Sequence, residues 1–190
     1  MRNIIKIIAV NFLNLVGNMS KKRYIDIEID KLTNSIENVR TGDSFETEVV
    51  RMSKVDIKKL KKNEWLFDWS KEEVVPRREV YKLTIKDNNK VIQGLFSLSV
   101  EVGYVFVHLV ESAKFNRGKD RVYYGVAGNM FAFSCMRSRD MGFGGFISFI
   151  AKTALIEHYA ETLKASVIKG QRMMIDEDVA SELIMKYFKK

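Results

Sequence analysis

The residues best suited to chemistry lie in one stretch, Arg117 to Gly142, which reads RGKDRVYYGVAGNMFAFSCMRSRDMG. Gly118, Gly125 and Gly128 lead into an apolar stripe of helical period. Small residues at a helix start let backbone N–H groups face an anion, and the helix dipole adds to the attraction. Arg117, Lys119 and Arg121 stand beside them as cations. That combination has the chemistry of a pyrophosphate cradle; its structural alternative is a set of glycines that only permit close packing. Two phosphate motifs are excluded. The Walker pattern ending in Lys-Ser/Thr is absent, and there is no G-x-G-x-x-G in an early strand–helix–strand unit.

Other reactive side chains are few. Cys135 falls on the apolar stripe of the same helix with no activating base beside it, so it reads as a small core residue. His108 sits on a strand and His158 on a helix surface. Two histidines and one cysteine leave little for a zinc site, and no metal is expected.

These residues need elements to position them. Tyr24 to Ile29 alternates like a strand, as does Phe45 to Met52, and Val55 to Lys62 looks helical. Trp65, Phe67 and Trp69 form an aromatic cluster that is either a core anchor under a loop or a pocket wall. Three strands follow in a row: VYKLTIK from Val80, VIQGLFSLSV from Val91 and YVFVHLVE from Tyr104. Asp87-Asn88-Asn89 makes the first tight turn and Glu101 to Gly103 the second, giving an antiparallel meander. Residues 124–141 then carry Ala127, Met130, Phe131, Ser134, Cys135 and Ser138 on one helical face, and Gly142 lies where a C-terminal glycine belongs. Beyond it come a buried strand from Phe146 to Ala151, a helix from Leu155 to Leu163, a short strand from Met173 to Ile175 and a helix from Asp178 to Phe188. A strand–helix–strand unit implies a parallel pair with a right-handed crossover. The expected fold is therefore α+β, a mixed α/β sheet with helices packed on it.

Composition sets the class. With 190 residues, 46% apolar and 29% charged, the chain has the size and core of a single domain. A lone cysteine offers no internal disulfide, which points to a cytoplasmic setting. The net charge of +8 draws phosphate in any form, and Lys58-Lys59-Leu60-Lys61-Lys62 is its densest run. That run reads as a solvated helix face, with RNA contact as its alternative. Residues 4–16, IIKIIAVNFLNLV, are apolar but broken by Lys6, Asn11 and Asn14. They fall short of the about 20 residues of a membrane span. No clear cleavage site follows them, and Met19 opens what looks like a natural start. The expected division is an extension over 1–18 and one domain over 19–190.

Residues 104–175 resemble the GNAT N-acetyltransferase superfamily. YVFVHLVE matches the strand whose backbone meets the pantetheine, YYGVAGNMFAFSCMRSRDMGF the pyrophosphate loop and helix, GFISFIAK the splayed strand, and TALIEHYAETLKA the tyrosine-bearing helix. The loop fits x-x-G-x-A without the leading Gln or Arg, since Arg121 lies one position early. The resemblance implies acetyl-CoA as acyl donor and direct attack by an amine in a ternary complex. It implies a donor site from Leu109, Val110, Arg121, Tyr124, Gly125, Val126, Ala127, Gly128, Asn129 and Lys152. Tyr159 would protonate the leaving thiolate, and Glu111 would accept the amine's proton. Trp65, Phe67 and Trp69 are then candidates for the acceptor pocket, with a small molecule or a protein as the amine. Two other functions compete: a non-catalytic GNAT-like module binding CoA or a partner, and an RNA- or tRNA-associated protein. No membrane partner is expected, and a strand edge with an apolar C-terminal helix would suit a homodimer.

Overall fold

The computed structural model describes residues 23–33 and 35–188. The expected extension over 1–18 and the start at Met19 lie outside them. In chain order the elements are β1 (Ile36–Asn38), β2 (Ser44–Phe45), β3 (Thr47–Arg51), α1 (Lys54–Lys58), α2 (Ser70–Glu73), β4 (Arg78–Ile85), β5 (Asn88–Glu101) and β6 (Tyr104–Ser112). They continue with β7 (Tyr123–Tyr124), α3 (Val126–Asp140), β8 (Ile147–Ile150), α4 (Ile156–Thr162), β9 (Ser166–Lys169), β10 (Arg172–Ile175) and α5 (Glu177–Phe188).

The main sheet has the order β3-β4-β5-β6-β8-β10-β9. β6 and β8 are parallel and every other pair in it is antiparallel. This is the expected meander feeding a strand–loop–helix–strand–helix unit. Alternate side chains point to one face. Phe96 and Leu98, Val105 and Val107, Ile147 and Phe149, Met173 and Ile175 join Met130, Phe131, Leu183 and Ile184 in one core beneath α3 and α5. On the other face Leu95, Leu109 and Val80 pack with Ile57 and Trp69 under α1 and α2.

One irregularity redirects the site. The β5–β6 ladder shifts register between Ser97 and Leu98, whose partners are Leu109 and Val107, so His108 is an extra residue. Such a bulge inverts side-chain parity beyond it. Val107 belongs to the α3 core, Leu109 to the opposite cluster and Val110 to the α3 core again. Glu111 thereby turns away from α3 and toward Trp69.

α3 has glycines at both ends for backbone reasons. Gly125 holds φ +81° at its N-cap and Gly142 holds φ +82° past its C-cap. Gly142 N–H donates to Arg139 O at 2.9 Å and Phe143 N–H to Ser138 O at 3.0 Å, which closes the helix in a Schellman arrangement.

Some elements differ from expectation. Tyr24 to Ile29 forms no ladder; only Ile25 bridges, in parallel, to Ala151. The helix expected over 55–62 ends at Lys58, where Lys59 caps it. β9 and the three-stranded sheet β2-β1-β7 were not expected. β9 is the near arm of a hairpin with β10, Lys169 opposite Arg172, and its exposed residues give no apolar alternation to read; in the second sheet β1 and β2 are very short, and β7 comes from far along the chain.

Candidate functional site

The loop before α3 holds a carboxylate of this chain. Gly125 N–H donates to Asp30 Oδ1 at 3.0 Å, and the Arg121 guanidinium reaches Asp30 Oδ2 at 2.8 Å. Arg121 is braced by Gly118 O at 2.7 Å and lies over the Tyr124 ring at 5.7 Å. A carboxylate at a helix N-terminus beside a guanidinium is a favourable charge arrangement. The rest of the cradle is covered. A Cβ at Gly125 would overlap the Thr33 side chain, and one at Gly128 would overlap the Tyr187 hydroxyl and crowd Leu32. Val126, Ala127 and Asn129 are buried, with Asn129 Nδ2 donating to Thr47 Oγ1 at 2.8 Å.

The same segment continues along the gap between β6 and β8. Those strands pair only from Val105 to Val107 and from Ile147 to Phe149. Beyond that point Ile25 takes the edge of β8: its N–H donates to Ile150 O at 2.7 Å, and Lys152 N–H donates to Ile25 O at 3.0 Å. Lys152 Nζ also pairs with Asp26 at 2.9 Å. Farther along, Tyr159 donates its hydroxyl proton to Ile27 O at 2.6 Å and accepts Ile27 N–H at 3.2 Å. Ile29 N–H donates to His158 Nε2 at 2.8 Å. Ile25 and Ile29 are buried in the α3 core. Tyr159 is fully buried against Phe131 and Phe149, and burial pushes its hydroxyl pKa above the usual tyrosine value.

Glu111 has four partners. Its buried carboxylate accepts Leu66 N–H at 2.6 Å, Phe67 N–H at 3.4 Å and Trp69 Nε1–H at 2.9 Å, and pairs with Arg117 at 3.4 Å. It ties the 64–69 loop to the end of β6. The three aromatics of that loop line one small cleft of about 280 Å³, yet they differ in depth. Trp69 is core at 2% exposure, Trp65 is half-buried and Phe67 is 36% exposed.

Solved acetyltransferase structures are similar to this chain. An acetyltransferase from Bacillus subtilis in complex with CoA is 12% identical, with a TM-score of 0.47, over 70% of this chain and 99% of that one. A spermidine N-acetyltransferase variant from Vibrio cholerae is 12% identical at TM-score 0.46, over 71% and 96%. The ribosomal-protein-S18-alanine N-acetyltransferase from Escherichia coli is 13% identical at 0.44, over 68% and 90%. No family model matches the chain, and no curated protein does.

The expected site residues split. Gly125, Arg121, Lys152 and Tyr159 converge on one path, but their polar groups bond to residues 25–30. Leu109, Val110 and Glu111 lie on β6 past its last pair with β8, and Glu111 serves the 64–69 loop. Sequence reasoning missed Asp30 and Ile27. The available signal was IDIEID, residues 25–30, an acidic alternation opposite in sign to the Arg117–Arg121 loop. It also missed the buried carboxylate of Glu72, which pairs with Arg78 at 2.9 Å, pairs with Arg23 and accepts Ser97 Oγ–H at 2.7 Å. Cys135 is wholly buried, and burial pushes its thiol pKa up, which suits a core role. Among the described residues there is no cluster of His, Cys, Asp or Glu that could hold a metal, and no helix long and apolar enough to cross a membrane.

Proposed function

We propose that this chain is a GNAT-like module in which residues 25–33 hold the path that the family resemblance assigns to an acyl-CoA arm, so that it works by binding rather than by acyl transfer. One observation carries the reading: the segment runs from the edge of β8, past the Tyr159 hydroxyl, to the N-terminus of α3, where Asp30 supplies the negative charge. With it in place the residues do not fit CoA. The Gly125 N–H and Arg121 are already matched by a carboxylate, and Thr33, Leu32 and Tyr187 fill the space over Gly125 and Gly128.

The second reading is an N-acetyltransferase that takes an acetyl group from acetyl-CoA and gives it to an amine. What favours it is that the groups the family would need share one partner segment. Departure of residues 25–33 would free the Tyr159 hydroxyl, the Gly125 N–H and Arg121 together. Glu111 fits a base poorly under either reading, because its carboxylate is buried and holds three N–H donors and a guanidinium.

Calorimetric titration with acetyl-CoA and desulpho-CoA, on the wild type and on Asp30→Ala, separates the two. The binding module predicts no saturable heat from either protein at millimolar ligand. Saturable binding by either protein, with acetylation of an amine in a follow-up screen, would establish the enzyme instead.

A further inference from the structure

A separate cleft of about 860 Å³ opens between the loop after α1, the start of β5 and the loop after β6. We propose that it binds a nucleotide, a flat base carrying phosphate. The inference goes beyond the reading above and does not rest on it, since no residue of the 25–33 segment lines this cleft.

Five of the lining side chains are Lys or Arg and two are carboxylates. Arg117 is already matched by Glu111 at 3.4 Å, Lys61 by Glu64 at 3.4 Å and Lys59 by Asp56 at 3.5 Å, while Asp120 forms no ion pair among the described residues. Lys90 and Lys114 form no ion pair among the described residues, and they stand on different walls, one on β5 and one in the turn after β6. Two exposed ammonium groups across one concavity attract phosphate. Trp65 forms one wall, while Phe115 is 41% and Val91 42% exposed on others. Aromatic faces of this kind stack on bases, and contiguous apolar surface left exposed in a groove suits a ligand. The volume matches that of small-molecule sites, which run from about 300 to 1,000 Å³.

The walls are also held before any ligand arrives. Glu111 fixes the 64–69 loop, Arg117 reaches Glu64 O at 3.4 Å, and Val122 N–H donates to Phe115 O at 2.9 Å. Ala113 N–H donates to Gln93 O at 2.8 Å, tying the same loop to β5. Preorganised walls lower the ordering cost of binding.

Trp65 provides the readout, since the other tryptophan, Trp69, is buried at 2% exposure. AMP, ADP and an octameric oligoadenylate are titrated by tryptophan fluorescence and by calorimetry. Adenosine and tripolyphosphate serve as controls lacking one half of the ligand. AMP or ADP should bind and quench, while adenosine should bind much more weakly and tripolyphosphate should not quench. The Lys90→Glu/Lys114→Glu double variant should weaken nucleotide binding by about tenfold or more, since its charge change falls at phosphate contacts. Phe115→Ala should weaken nucleotide and leave tripolyphosphate unaffected. Both variants alter exposed side chains, so an unchanged melting temperature will show that the fold is intact. Tighter, steeply salt-dependent binding of the oligomer would name single-stranded nucleic acid as the source of the nucleotide; equal affinity would name the free compound. Absence of heat and quench with every nucleotide at several millimolar would overturn the proposal, as would binding unchanged in the folded double variant.

Discussion

Glu111 and His108 show how one residue's surroundings decide what it can do. A carboxylate at the end of a strand reads as a base, but three N–H donors and Arg117 leave Glu111 a scaffold for the 64–69 loop. His108, the bulged residue, lies against Phe106 with Nε2 2.8 Å from Ser99 Oγ. Burial, with the Arg78 charge second, pushes its pKa down from the usual 6.5 to about 3. The unfolded chain therefore takes a proton on this ring at a pH where the folded chain does not. By linkage its contribution is fully present above the usual histidine value and is lost as pH falls toward about 3. Urea midpoints measured from pH 7 to 4.5 should fall more steeply in the wild type than in His108→Gln. The difference should be at most about 1.4 kcal/mol per pH unit. Parallel curves would place His108 in a more hydrated site.

At the scale of elements, the turn into α3 carries the tightest constraint. Gly125 and Gly118 both have positive φ, +81° and +74°, but only Gly125 has neighbours where a Cβ would stand. Gly118→Ala should therefore cost only the left-handed conformation, about 1–2 kcal/mol. Gly125→Ala adds overlap with Thr33 and Ser35 and should cost clearly more, with the excess read directly from paired denaturant melts. Equal costs would mean that Thr33 and Ser35 yield freely. The same geometry makes Gly128 a packing position, so a bulky substitution there tests the fold before it tests any ligand. The β6 bulge acts on a longer range: one extra residue sends Leu109 and Glu111 to the face opposite Val110.

For the molecule as a whole, the question is whether residues 25–33 belong to the core. Ile25, Ile29 and Ile36 are each at most 2% exposed, and Glu37 and Asn38 of β1 pair with β7 next to α3. Hydrogen exchange should accordingly show the Ile27 and Ile29 amides exchanging only with global unfolding, at the rate of β5 amides. Markedly faster exchange would mark a segment that opens by itself and would favour the acetyltransferase reading. The sequence by itself determined the meander, the parallel β6–β8 crossover, α3 with its closing Gly142, and the two C-terminal helices, because period-2 and period-3.6 patterns and turn residues are local signals. For the glycines before α3 it left an anion cradle and close packing both open. Only the tertiary structure set Asp30 against the Gly125 N–H and packed Tyr187 against Gly128. Asp30 lies 95 residues from Gly125, and no local pattern reports a contact across that distance. The bulge at His108 was equally illegible, since YVFVHLVE is apolar almost throughout and sets no alternation that a shift in the ladder would break. The cleft between Lys90 and Lys114 likewise exists only because β5 and β6 pair and bring two separate chain segments to one end of the sheet.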